Sequence, residues 1–193
     1  MTGADPDLPF PLSGVTLITG PSNAGKTTLT ARALEAWVDE HGPRGVVVLE
    51  FGPEVAHEGR VLGRRLSRFA AVPDAAWSGV LDARAPRAEG GSDADAVALA
   101  ADNARRAARL IRSAPADPAA VFVNDATIPF QHESGDPGAL LAYCDCAEAA
   151  VLNALEGDEL GGDDPISRAE RDALDALRAG CDRTLRLDRD PRE

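Results

Sequence analysis

Residues 15–28 read VTLITGPSNAGKTT. Val15 to Thr19 is a run of apolar and β-branched residues, the pattern of a strand buried on both faces, and Gly20 ends it. After a short polar turn the pattern changes to helical spacing. Leu29, Ala33, Ala36 and Trp37 share one face of a helix expected from about Gly25 to His41, and Gly42-Pro43 supplies a stopping glycine and a breaker. Gly45 to Phe51 (GVVVLEF) is a second buried strand. Strand, helix and strand in this order imply parallel strands joined by a right-handed crossover. The fold class expected is therefore α/β, a three-layer α/β/α sandwich on a mostly parallel sheet of about five strands, with residues 1–193 as a single domain.

Outward from this unit, Ser92 to about Ser113 reads as a helix. Ser92 is its N-cap, Asp93 and Asp95 lie in the first turn, and Arg109 and Arg112 lie near the end, as the helix dipole favours. Val97, Ala100, Ala104, Ala107 and Ile111 form its core stripe. Ala119 to Asn124 (AAVFVN) is a third strand running into Asp125. Pro137 to about Cys144 is a short helix, and Ala149 to Leu155 fits a fourth strand or a helix. The next helix is expected to start from Asp164-Pro165 together with a Ser167/Glu170 capping-box pair, to be anchored by Leu174 and Leu177, and to stop at Gly180. Arg183 to Leu187 alternates as an edge strand. Residues 52–91, broken by Gly52-Pro53, Pro73, Pro86 and Gly90-Gly91, read as loops and short helices.

Composition narrows the functions. With 193 residues, 44% hydrophobic and only 4% aromatic, the chain can bury one sizeable core built from alanine, valine and leucine. The net charge of −12 disfavours broad capture of a nucleic-acid backbone, which needs clustered cations, and also suits a protein adapted to a salt-rich cytoplasm. No apolar stretch reaches the roughly 20 residues that span a bilayer. The acidic, proline-punctuated start, Met1 to Phe10, is unlike an export signal, so a cytoplasmic location is expected. Three cysteines form neither an even disulfide set nor a paired zinc signature.

Lys26 is the only lysine among 20 basic residues. It stands inside Gly20-Pro-Ser-Asn-Ala-Gly25-Lys26-Thr27, which spells G-x-x-x-x-G-K-[ST] between a strand and a helix, the context that pattern requires. Glycines at both ends permit torsions and close approach that a Cβ would obstruct, so that backbone N–H groups can converge on phosphate oxygens. The helix N-terminus adds partial positive charge. Lys26 can reach the β- and γ-phosphates, and the Thr27 hydroxyl can complete an octahedral Mg²⁺ shell. Gly20, Pro21, Ser22, Asn23, Ala24, Gly25, Lys26, Thr27 and Thr28 are therefore the expected nucleotide-binding residues.

Here the chain resembles the P-loop NTPase superfamily, over about residues 13–125, and is most similar to its RecA-like branch. Val121 to Asp125 resembles the second signature of that superfamily, the Walker B strand, which implies that Asp125 joins Thr27 in holding Mg²⁺. Ala126 stands where many members carry a water-activating glutamate. By resemblance to the RecA-like branch, that role passes to Glu54 or Glu50, just after and at the end of the second strand. The resemblance implies ATP with Mg²⁺ and phosphoryl transfer to water. The alternatives are a small-molecule kinase, for which adenosylcobinamide kinases are a comparison of similar size, and a regulatory or assembly switch acting on a protein partner or a second copy. GTP is not excluded as the nucleotide, although no Asn-Lys-x-Asp motif is possible with one lysine.

Weaker features remain. Arg60, Arg64, Arg65 and Arg68 could clamp phosphate or pair on an acidic surface. His57-Glu58, His132-Glu133 and Gln131 could relay a proton or orient water, or could be ordinary loop residues. Tyr143 to Cys146 offers two thiols without the second pair that a zinc site needs.

Overall fold

The computed structural model describes residues 8–53, 55–57, 60–62, 65–157 and 162–188, with side chains throughout except at 55–57 and 60–62. Six strands, β1 (Gly14–Gly20), β2 (Val46–Glu50), β5 (Trp77–Val80), β6 (Ala120–Asn124), β7 (Ala149–Leu155) and β8 (Arg183–Arg186), form one sheet in the order β5-β2-β6-β7-β1-β8. Every pairing in it is parallel. A separate antiparallel pair, β3 (Val55–His57) with β4 (Arg60–Leu62), follows β2. The expected three-layer α/β sandwich is present, with six strands in its sheet.

The near-continuous apolar strands are explained by the two cores they feed. Val15, Leu17, Val47, Leu49, Val121, Val123, Ala150 and Leu152 face one core. Their neighbours Ile18, Val46, Val48, Ala120, Phe122, Ala149 and Val151 face the other. Successive side chains alternate across a sheet, so a strand covered on both faces needs an apolar residue at every position. Helix α1 (Lys26–His41) covers the second face through Leu29, Ala33, Leu34 and Trp37. Helices α3 (Asp93–Ser113), α4 (Pro137–Cys144) and α5 (Pro165–Gly180) cover the first through Ala107, Leu140, Leu174 and Leu177.

The chain leaves β1 through α1 and reaches β2 only beyond β6 and β7, and it leaves β7 through α5 and reaches β8 on the other side of β1. The connections thus diverge on either side of β1, the switch-point geometry at which open α/β sheets hold ligands beyond their C-terminal strand ends.

Two expectations need correction. Residues 52–91 contain β5, a short helix α2 (Pro86–Glu89) and the β3–β4 pair, in place of only loops and short helices. Strand β5 carries a poor strand signal because it is an edge, with Ser78 and Val80 exposed and Gly79 packed beneath the Trp77 ring. In α5 the N-cap is Asp164, whose carboxylate accepts from Ser167 N at 2.9 Å. Ser167 and Glu170 form no capping box and are buried inside the helix. The three cysteines are free thiols, and burial raises those of Cys144 and Cys181 well above the ordinary range.

Candidate functional site

Three strand ends meet at one place. Gly20 closes β1, Glu50 closes β2, and Asn124 closes β6 ahead of Asp125. The loop after β1 turns through Asn23 at φ 64° and Gly25 at φ 85°, both left-handed, while Gly20 is at φ 152°. A Cβ on Gly25 would meet nothing, so glycine is needed there for its torsion, whereas a Cβ on Gly20 would strike the Leu187 carbonyl. Ala24 N donates to Pro21 O at 3.3 Å and Leu29 N to Gly25 O at 2.9 Å. The amides of Lys26, Thr27 and Thr28, in the first turn of α1, have no carbonyl within the helix to donate to.

The start of α1 differs from those of the other long helices. Ser92 caps α3, Asp136 caps α4 and Asp164 caps α5, each with a side-chain oxygen. Helix α1 has no side-chain cap and no acidic residue in its first turn. Its positive end is thus neutralised by no carboxylate of that turn, the arrangement that suits an incoming anion. Lys26 is 8% exposed, and its ammonium donates to Pro21 O at 2.7 Å, folded back across the loop. The one lysine therefore lies where backbone amides and the helix dipole converge.

Beneath the loop runs a connected polar network. Thr27 Oγ1 donates to Asn124 Oδ1 at 3.3 Å, leaving the hydroxyl lone pairs for a cation. Asn153 Nδ2, from β7, donates to Asn124 Oδ1 and to Thr30 Oγ1, each at 3.0 Å. Asn153 Oδ1 accepts from Asp125 N at 3.0 Å. That bond holds Asp125 at φ 56°, a left-handed torsion that Asp tolerates better than most residues. The Asp125 carboxylate rests against Gly52, where any Cβ would collide with it. Loss of water raises its carboxyl to about 6; Lys26 opposes the rise and Glu170 adds to it.

Glu50 is 3% exposed. Its Oε1 accepts from Leu66 N at 2.6 Å and its Oε2 from Asn124 Nδ2 at 2.9 Å. Burial, foremost among the causes, raises its carboxyl above the ordinary range, and the two donors pull it back. The residue thus joins β2, β6 and the short 3₁₀ turn Leu66–Arg68. Glu54 lies outside the described residues.

A second buried carboxylate was not anticipated. Glu170 accepts from Thr127 Oγ1 at 2.9 Å, from Gln131 Nε2 at 2.8 Å and from Arg87 Nη2 at 2.6 Å. It fastens the loop that follows Asp125 to α5 and α2. The sequence signal was a glutamate one helical turn before Leu174 and two before Leu177 on the apolar face, at a place where only a paired carboxylate can be buried.

The weaker candidates separate. Gln131 donates to Glu170. His132 Nδ1 and Ser134 Oγ lie 2.8 Å apart in a local turn. Tyr143 donates its hydroxyl to Pro115 O at 2.9 Å. No group of three or more His, Cys, Asp or Glu side chains forms a metal cluster among the described residues. Arg65 lines a groove beside Glu50, Arg68 is exposed, and the side chains of Arg60, Arg64, His57 and Glu58 lie outside the description. No helix among the described residues is long and apolar enough to cross a membrane. No family model matches the chain, and no curated protein matches it either.

Proposed function

We propose that the chain is a P-loop nucleoside triphosphatase of RecA-like type that binds ATP at Gly20 to Thr28 and carries out Mg²⁺-dependent phosphoryl transfer. The observation that carries this reading is the convergence of an uncapped helix start, two left-handed loop residues and the single lysine on one point, with Thr27 and Asp125 adjoining it. The residues fit the group. The amides from Ser22 to Thr28 would hold the phosphates. Lys26 would exchange its bond to Pro21 O for phosphate oxygens, and its charge would then stabilise the negative charge on the transferring group. Thr27 Oγ1 and the Asp125 carboxylate would hold Mg²⁺, with Asn124 accepting from the Thr27 hydroxyl and Asn153 from the Asp125 amide so that both are held in place. ATP, when bound, supplies the phosphoryl group, and the chain supplies position and charge.

Transfer to water needs a base. Ala126 is buried and apolar and supplies none, whereas Glu50 accepts one bond at each oxygen and keeps a lone pair on both. The groove at Glu50 and Arg65 favours a second reading, transfer to a small molecule as in a kinase. ATP consumption with and without Mg²⁺, in the wild type and in Thr27→Ala, tests the common core of both readings. Consumption that requires Mg²⁺ and falls at least about tenfold in the variant is expected, since a lost metal ligand is worth more than one ordinary hydrogen bond. Consumption indifferent to both would sink it.

A further inference from the structure

At the C-terminal ends of β2 and β5 lies an open groove of about 310 Å³, small but within the range of ligand pockets. Its inner end is Glu50, buried, beside Arg65, half-buried; Val72, Pro73, Ala76 and Val80 form an apolar wall. Ser67 and Ser78 add exposed hydroxyls and Asp74 stands at the rim. Two observations point to a ligand. Arg65 lines the groove half-buried, and its guanidinium presents donors as a fork suited to an oxyanion; the Nε is buried without a hydrogen-bond partner among the described residues, so the part of the side chain open to a ligand lies beyond it. Val80 is the one large hydrophobic side chain left exposed among the described residues, at 44%, and it stands on the groove wall.

The groove is wired to the phosphate loop. Glu50 accepts from Asn124 Nδ2, and Asn124 Oδ1 accepts from Thr27 Oγ1, so two hydrogen bonds separate the groove from the expected Mg²⁺ ligand. On its other side, Glu50 accepts from Leu66 N, next to Arg65.

We propose that this groove is the acceptor site of the phosphoryl-transfer centre, binding a small molecule that carries an oxyanion group, held by Arg65, and a hydroxyl, held by Glu50. The proposal rests on the ATP-dependent reading above. The acceptor hydroxyl oxygen forms a bond to the γ-phosphorus as the bond from that phosphorus to the ADP oxygen breaks, and the hydroxyl proton passes to Glu50. Each Glu50 oxygen keeps a lone pair for this after accepting its one hydrogen bond.

The test uses the ¹⁵N-labelled full chain and two sets of probes, hydroxycarboxylates (glycerate, malate) and phosphomonoesters (glycerol 3-phosphate, ribose 5-phosphate). One set should shift the amides of Ser67, Ala76, Ser78 and Val80, and in the presence of MgATP the same compound should become phosphorylated with release of ADP. The set that does so says whether the oxyanion is a carboxylate or a phosphate. Arg65→Gln should weaken the shifts at least about tenfold, as loss of a charge-assisted bond implies. Val80→Asp, a change at an exposed position that leaves the core alone, should weaken them in the same direction. No groove shift from either set, shifts unchanged in both variants, or binding without transfer overturns the proposal. MgATP is titrated separately on the amides of Gly25, Thr27 and Thr28. If those respond while the groove is silent, the acceptor site fails and the nucleotide reading stands; if they do not respond, the nucleotide reading itself fails.

Discussion

At Asp125 several local demands meet that single residues rarely combine. Its backbone is left-handed, its amide is fixed by Asn153, and its carboxylate lies against Gly52 with its carboxyl raised to about 6 from 3.8. Between about pH 4 and 6 the folded, ligand-free protein therefore holds a proton there that the unfolded chain has released, so this residue's contribution to unfolding free energy falls as pH rises through that window and is constant above it. Asp125→Asn, uncharged at every pH, should gain stability relative to the wild type from pH 4 to pH 6 and level off beyond, by on the order of 3 kcal/mol for a shift of this size. Denaturant unfolding at several pH values checks this, and parallel curves for the two proteins would contradict it. The ionised carboxylate is also the form that would hold Mg²⁺, so metal affinity should rise through the same window. Lys26, Thr27 and Asp125 were legible because a glycine-bounded motif and a strand ending in an acid announce themselves locally. Asn124 and Asn153 were not. Each is an ordinary amide at a strand end until strands β6 and β7, distant in sequence, are laid side by side.

Among the elements, α5 links the loop after Asp125 to the rest of the fold. Its Glu170 is 1% exposed and takes donors from Thr127, Gln131 and Arg87. Removing the carboxylate strands those donors, and breaking a buried charged contact costs about 3–5 kcal/mol, somewhat less here because Arg87 reaches solvent. Glu170→Ala should lower the denaturant midpoint by a corresponding amount and weaken Mg²⁺-dependent nucleotide binding through the displaced loop. Asp164→Ala, which removes only the N-cap of the same helix, should cost about 1 kcal/mol and leave nucleotide binding unchanged. Equal losses in the two variants would show that Glu170 is merely another helix-stabilising residue. The helices and central strands were readable because amphipathic spacing and unbroken apolar runs are local properties. Strand β5 was not, since an edge strand with exposed Ser78 and Val80 takes its structure from pairing with β2. The Ser167/Glu170 spacing imitated a capping box because the pattern does not say which of two capping residues, Asp164 or Ser167, begins the helix, and Asp164 lies one turn earlier.

At the scale of the whole molecule, −12 net charge on 193 residues sets like charges against one another across the surface. Screening shortens the range of that repulsion to about 3 Å in molar salt. Thermal unfolding should therefore shift to higher temperature between low and molar potassium chloride, and a melting temperature that does not rise would contradict a salt-adapted surface. The parallel sheet, with its connections diverging on either side of β1, brings the ends of β1, β2 and β6 to one crevice and joins them through Thr27, Asn124 and Glu50. We propose this crevice as the place where the loop around Lys26 meets the phosphates of ATP. Calorimetric titration of ATP with Mg²⁺ into the wild type and Lys26→Ala, at low and at molar salt, decides it. Saturable binding by the wild type is expected, with a loss of at least about tenfold in the variant, which lacks the charge that the phosphates would meet. Absence of binding at both salt concentrations, or equal affinity in the two proteins, would contradict it.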